Sequence, residues 1–179
     1  MRDIGHTGHS REFAEKAHGY GPNVHLLDDA VSFTLLAKIC EARTGQPDFN
    51  RLVSRLYGRL LDNVMIALGP RVERTVVTRM VGETSRARAE MEVLDPSQRV
   101  VIVDVIRGGV LPGAVCFDRL NDLVDPASVR QDHMVCSRVS AADGSVTGTE
   151  ISGARIGGDV EDALLLLPDP MAATGATLA

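Results

Sequence analysis

Asp169-Pro170-Met171-Ala172-Ala173-Thr174-Gly175-Ala176-Thr177 sets one acid in front of a turn made of small residues and two threonines. Leu164 to Leu167 and Pro168 lead into it. With little side-chain bulk from Ala173 to Thr177, backbone N–H groups can converge on an anion, and the Thr174 and Thr177 hydroxyls add donors. Asp169 is suited to accept hydrogen bonds from sugar hydroxyls. Turns of this kind beyond a strand are where open α/β sheets hold ligands. The plainer reading is an ordinary strand-to-helix connection capped by threonine.

A second group of candidates is Arg107-Gly108-Gly109, which closes the apolar run Val100 to Ile106. A guanidinium at the C-terminal edge of a strand can grip phosphate oxygens bidentately, and the glycines let backbone approach. Its plainer alternative is a surface arginine before a glycine turn. Arg138 is a third candidate, functional or merely solvated. No residue stands out as a general base; His133 reads as structural, placed before a short strand.

The string from Asp169 to Thr177 resembles the phosphoribosyl-diphosphate (PRPP) loop of the uracil phosphoribosyltransferases, written there Asp-Pro-Met-Leu-Ala-Thr-Gly-Gly-Ser. The resemblance implies that residues 169–177 hold the ribose and 5′-phosphate, with Asp169 on the ribose hydroxyls. It implies that Arg107 and Arg138 grip the pyrophosphate, and that Mg²⁺ arrives with PRPP rather than on a protein metal site. A non-proline cis peptide is implied at Arg107–Gly108, a dimer arm at residues 72–94, and a homodimer. The activity implied is transfer of phosphoribose from PRPP to uracil, giving UMP and diphosphate. The alternatives are a regulatory PRPP-binding relative and a transferase for another base.

Departures accompany the match. Ala176 replaces a glycine, Asp104 a proline and Ser137 a tyrosine. An acid at 104 would repel pyrophosphate unless magnesium intervenes. The family's Gly-Asp-rich base-binding segment has no counterpart in the 179 residues. The expectation is therefore a chain that holds the phosphoribosyl donor and lacks the part that chooses the acceptor.

The elements that must position these residues follow from periodicity. Residues 1–23 are polar and read as a flexible extension; His6 and His9 have no further ligand at metal spacing. Residues 24–179 read as one domain. Asp28 or Asp29 caps a helix to about Arg43, and Asp48 starts a second to about Leu68, with Leu52, Val53, Leu56, Leu60, Val64 and Leu68 along one face. Arg51, Arg55 and Arg59 lie on another face, solvated or in partner contact. Val72–Val81 and Arg86–Leu94 form a hairpin, either a dimer arm or a solvated edge. Val100–Ile106 reads as a central parallel strand, Val110–Leu123 as its crossover helix, and Met134–Cys136 as a short strand. Ser140–Gly158 is polar and aperiodic, a mobile lid or hairpin flap. The four leucines read as a fully buried strand. This order predicts an α/β, doubly wound, mostly parallel sheet of phosphoribosyltransferase type.

Composition narrows the classes. A net charge of −5 argues against a general nucleic-acid binder. No apolar run approaches the ~18 residues of a membrane span, and a signal-peptide core is lacking. The three cysteines, Cys40, Cys116 and Cys136, are odd in number and far apart, which fits reduced thiols. The expected setting is cytoplasmic.

Overall fold

The computed structural model describes residues 14–84, 86–140 and 146–170. Helix α1 spans Ala30–Cys40, and its N-cap is Asp29, whose carboxylate accepts from Ser32 N at 2.9 Å. Helix α2 spans Asp48–Leu68 and stops where Gly69-Pro70 interrupts it. Arg59 of α2 donates to Asp29 Oδ1 at 2.7 Å and to Ser32 Oγ at 3.1 Å. Arg59 thus ties the start of α1 to α2 and is not a solvated residue of an arginine stripe.

The buried face of α2 is Val53, Gly58, Leu61 and Met65, while Leu68 is exposed. This is rotated from the leucine stripe that periodicity suggests. A helix with apolar residues on two faces fixes the period but not the phase, and α3 and the sheet select Leu61 and Met65.

Strands β1 (Arg71–Val77) and β2 (Arg88–Leu94) pair antiparallel as a separate two-stranded sheet, shorter than expected at the turn end. Strand β3 (Val100–Ile106) is buried along nearly its whole length, as a central parallel strand should be. Helix α3 (Val110–Leu123) follows, then a short 3₁₀ turn at Pro126–Ser128, strand β4 (Val129–Ser140), strand β5 (Val146–Arg155) and strand β6 (Leu164–Leu166). The order in the main sheet is β5-β4-β3-β6, with β4, β3 and β6 parallel and β5 antiparallel. The architecture is α/β with a mostly parallel mixed sheet, compatible with a doubly wound fold.

Two expectations need correction, and the polar stretch takes the hairpin form of the two expected for it. The strand expected at Met134–Cys136 is the twelve-residue β4, so His133 lies inside a strand and not ahead of one. The polar stretch after it is a hairpin, β5 folding back along β4 with irregular register at Val135/Cys136 and Val139/Ser140. The leucine run is not fully buried. Leu164 and Leu166 pack on the core, but Leu165 is 44% and Leu167 43% exposed, because β6 pairs with β3 alone in the described sheet and presents alternate side chains outward.

The core joins Leu61 and Met65 of α2, Val100 and Ile102 of β3, Cys116 and Leu120 of α3, and Val124. Ahead of α1, Lys16 N donates to Leu26 O and Asp28 N to Ala14 O, both at 2.8 Å. These bonds cross the boundary drawn at residue 23 and tie residues 14–16 to the domain.

Candidate functional site

Strands β3 and β6 are parallel neighbours in register, Val100 opposite Leu164 and Ile102 opposite Leu166. Whatever follows each strand therefore emerges at the same edge of the sheet, side by side. From β3 comes Arg107-Gly108-Gly109; from β6 comes Pro168-Asp169-Pro170. The two segments touch through the glycines. A Cβ on Gly109 would lie 2.9 Å from Pro168 O and 2.8 Å from Val105 N. On Gly108 it would lie 3.7 Å from Pro170 and 3.9 Å from Asp169 Oδ1. Only glycine permits the approach at 109, since the atoms in the way are backbone.

Arg107 is exposed at the rim of this junction, and Asp169 is half-buried. The cis peptide falls at Ile106–Arg107, one residue before the expected Arg107–Gly108. Of the candidates, Arg107, Asp169 and Pro170 are brought together. Arg138 lies on β4 with its backbone opposite Thr149; its side chain, and all of Met171, Ala172, Ala173, Thr174, Gly175, Ala176 and Thr177, lie outside the described residues.

Two further ionisable groups, on α2 and α3, carry no motif. Tyr57 of α2 is half-buried, and its phenol is pushed well above the ordinary range, first by burial, then by the Asp169 charge, then by Cys116. Tyr57 therefore stays a neutral O–H. Periodicity gives no signal for it, since an aromatic on a long helix reads as core. Cys116 of α3 is buried, and its thiol is pushed up to about 11 by desolvation and then by Asp104, with Arg119 opposing.

Asp104 is the larger surprise. Expected beside the pyrophosphate, it is 0% exposed beneath α3. Gln131 Nε2 donates to its Oδ2 at 2.7 Å, and His133 Nδ1 lies 3.0 Å from the same oxygen. Burial pushes the Asp104 carboxyl up; the Gln131 hydrogen bond and His133 pull in the other direction. It therefore does not confront an anion at the loop directly.

Among the described residues no three His, Cys, Asp or Glu side chains converge as a metal site. A cavity of about 550 Å³ opens between α1, α2 and α3, lined by Leu35, Arg55, Gly58, Arg59, Asp62 and Arg119 among others. Its charges are largely matched, Arg59 with Asp29 and Arg119 with Asp62, and none of the predicted site residues lines it.

Known proteins can be set beside this geometry. No protein-family model matches the chain, and no curated protein does. A solved structure described as the AQ2163 protein from Aquifex aeolicus is similar to it. The TM-score is 0.62 at 16% identity, over 85% of this chain and 64% of that one. The likeness is one of fold. Among the described residues, no helix is long and apolar enough to cross a membrane.

Proposed function

We propose that this chain is a phosphoribosyltransferase of the uracil type, taking Mg²⁺·PRPP and uracil to UMP and diphosphate in the cytoplasm, as a homodimer. The observation that carries the reading is the junction itself. A loop holding Arg107 and two glycines meets a loop opened by Asp169, at the C-terminal ends of two adjacent parallel strands.

The chemistry asks for two things that this junction supplies. The C1′–O bond of PRPP breaks and diphosphate departs with the bonding pair, while a uracil nitrogen forms the new bond to C1′ and releases its proton. Charge on the departing diphosphate is met by the Arg107 guanidinium, and the ribose is oriented by hydrogen bonds from its hydroxyls to Asp169. By the resemblance, residues 171–177, which lie outside the described residues, hold the 5′-phosphate.

Calorimetry with Mg²⁺·PRPP, paired with an assay for UMP, tests the reading. Saturable binding with turnover supports it. Binding without turnover favours a regulatory PRPP-binding relative, and a folded protein that gives no heat overturns the assignment. Replacing uracil by other bases in the same assay decides the acceptor.

A further inference from the structure

Asp104 combines three features that rarely coincide. It is completely buried, its Oδ1 has no hydrogen-bond partner among the described residues, and helix α3 crosses it at a glycine. A Cβ on Gly113 would collide with Oδ1. The other oxygen, Oδ2, faces β4, where Gln131 donates to it and His133 Nδ1 sits at ion-pair distance without an aligned hydrogen bond. The His133 ring reaches solvent on its other side, at 44% side-chain exposure. A bare buried carboxylate oxygen is costly, whereas a carboxyl sharing a proton with an imidazole leaves Oδ1 close to a neutral carbonyl.

Other groups do not replace His133 in this role. From α3 the titratable neighbour is Cys116, itself neutral, with Arg119 acting on that thiol; Gln131 of β4 carries no charge; and from β5 Arg155 stands opposite His133 in the strand register. His133 is the side chain at ion-pair distance from Asp104 among the described residues.

The position of the pair makes it consequential. Asp104 lies on β3, three residues before Arg107 of the loop that follows, and Gly113 is in the first turn of the helix that Gly109 opens. The anion loop is thus strung between the strand and the helix that clasp this carboxylate.

We infer that Asp104 and His133 form a proton-sharing dyad that positions the Arg107 loop and sets its anion affinity according to pH. The inference rests on that loop being an anion loop, as proposed above. Losing the shared proton leaves one more negative charge beneath the loop. At roughly 10 Å and an intermediate dielectric, one charge weakens binding of a phosphate-type anion on the order of tenfold. Affinity therefore falls as pH rises through the titration of the dyad. The sign is diagnostic, because diphosphate itself gains charge with rising pH and would bind an arginine loop more tightly.

Two measurements on the full chain test this. Inorganic diphosphate affinity is followed by calorimetry from pH 5.5 to pH 9, and the ring nitrogens of His133 are followed by NMR over the same range. The dyad predicts a tenfold fall in affinity that coincides with the His133 titration. It also predicts a displaced titration curve in Asp104→Asn and loss of the fall in the Asp104→Asn/His133→Gln double variant. His133→Gln alone, changing a half-exposed side chain, should shift the fall without unfolding the protein. A His133 curve identical in wild type and Asp104→Asn overturns the dyad. A fall that persists in the double variant overturns the coupling. Absence of diphosphate binding by folded wild type at every pH overturns the coupling and the anion loop together, and a displaced curve in Asp104→Asn would then still identify the dyad.

Discussion

Gly109 approaches Pro168 so closely that a Cβ on the glycine would sit 2.9 Å from the proline carbonyl oxygen. That contact welds the loop after β3 to the segment after β6, and both sides of it are backbone. A side chain at 109 cannot be accommodated by a rotamer change. Gly109→Ala should destabilise the fold by about 1–3 kcal/mol, the usual cost of overpacking. Gly82→Ala, where nothing lies within 4 Å of the added carbon, should be near neutral. Urea denaturation of both variants measures the difference.

Asp169→Asn keeps shape and removes the charge that would hold the ribose hydroxyls. Its Mg²⁺·PRPP affinity should fall by roughly 10- to 100-fold, the worth of a hydrogen bond to a charged group. Titration calorimetry reads this directly, and unchanged affinity would show that the ribose is held elsewhere.

Arg107 is exposed, so its loss should leave stability alone and strike only the ligand. Arg107→Gln should weaken diphosphate binding and flatten its salt dependence. Arg107→Lys should restore the charge without restoring affinity, because an ammonium cannot reproduce a bidentate guanidinium contact. A lysine variant with full affinity would mean that a point charge suffices.

Burial raises the Asp104 carboxyl above its ordinary value. The folded chain then binds that proton more tightly than the unfolded chain. The corresponding stability is fully present below the unfolded-state value and is lost as pH rises through the folded-state one. Asp104→Asn has no proton to lose, so its melting temperature should gain on wild type as pH increases across that window. Parallel thermal melts at several pH values suffice to see the crossing trend.

Cys116 is buried with its thiol pushed up to about 11, whereas Cys40 is exposed. Iodoacetamide at pH 8 should therefore alkylate Cys40 promptly and spare Cys116 until the chain unfolds. Mass spectrometry of the digested protein distinguishes the two, and early modification of Cys116 would mean that the α3 packing opens readily.

Much of the frame was legible because its signals are local. Asp48 and Gly69-Pro70 bracket α2, Arg107-Gly108-Gly109 ends a β-branched strand, and the helix after it runs over the residues that its pattern predicts. These depend on propensity, capping and breakers within a few residues. The face of α2 was not legible, since Leu52, Leu56 and Leu60 read as well as Leu61 and Met65 until α3 and β3 are in place. Nor was the exposure of Leu165 and Leu167, which depends on what lies beyond an edge strand.

The candidate site divides along the same line. Sequence alone determined which residue types could meet phosphate and sugar, and that Arg107 and Asp169 each follow an apolar run. Only the tertiary structure decided that these runs are parallel neighbours, so that the two loops share an edge and meet at Gly109 and Pro168. It alone turned Asp104 from an acid facing the ligand into a buried partner of Gln131 and His133. The physical reason is that a short motif carries its own chemistry, while the charge, burial and neighbours of each group are set by strands and helices far away in the chain.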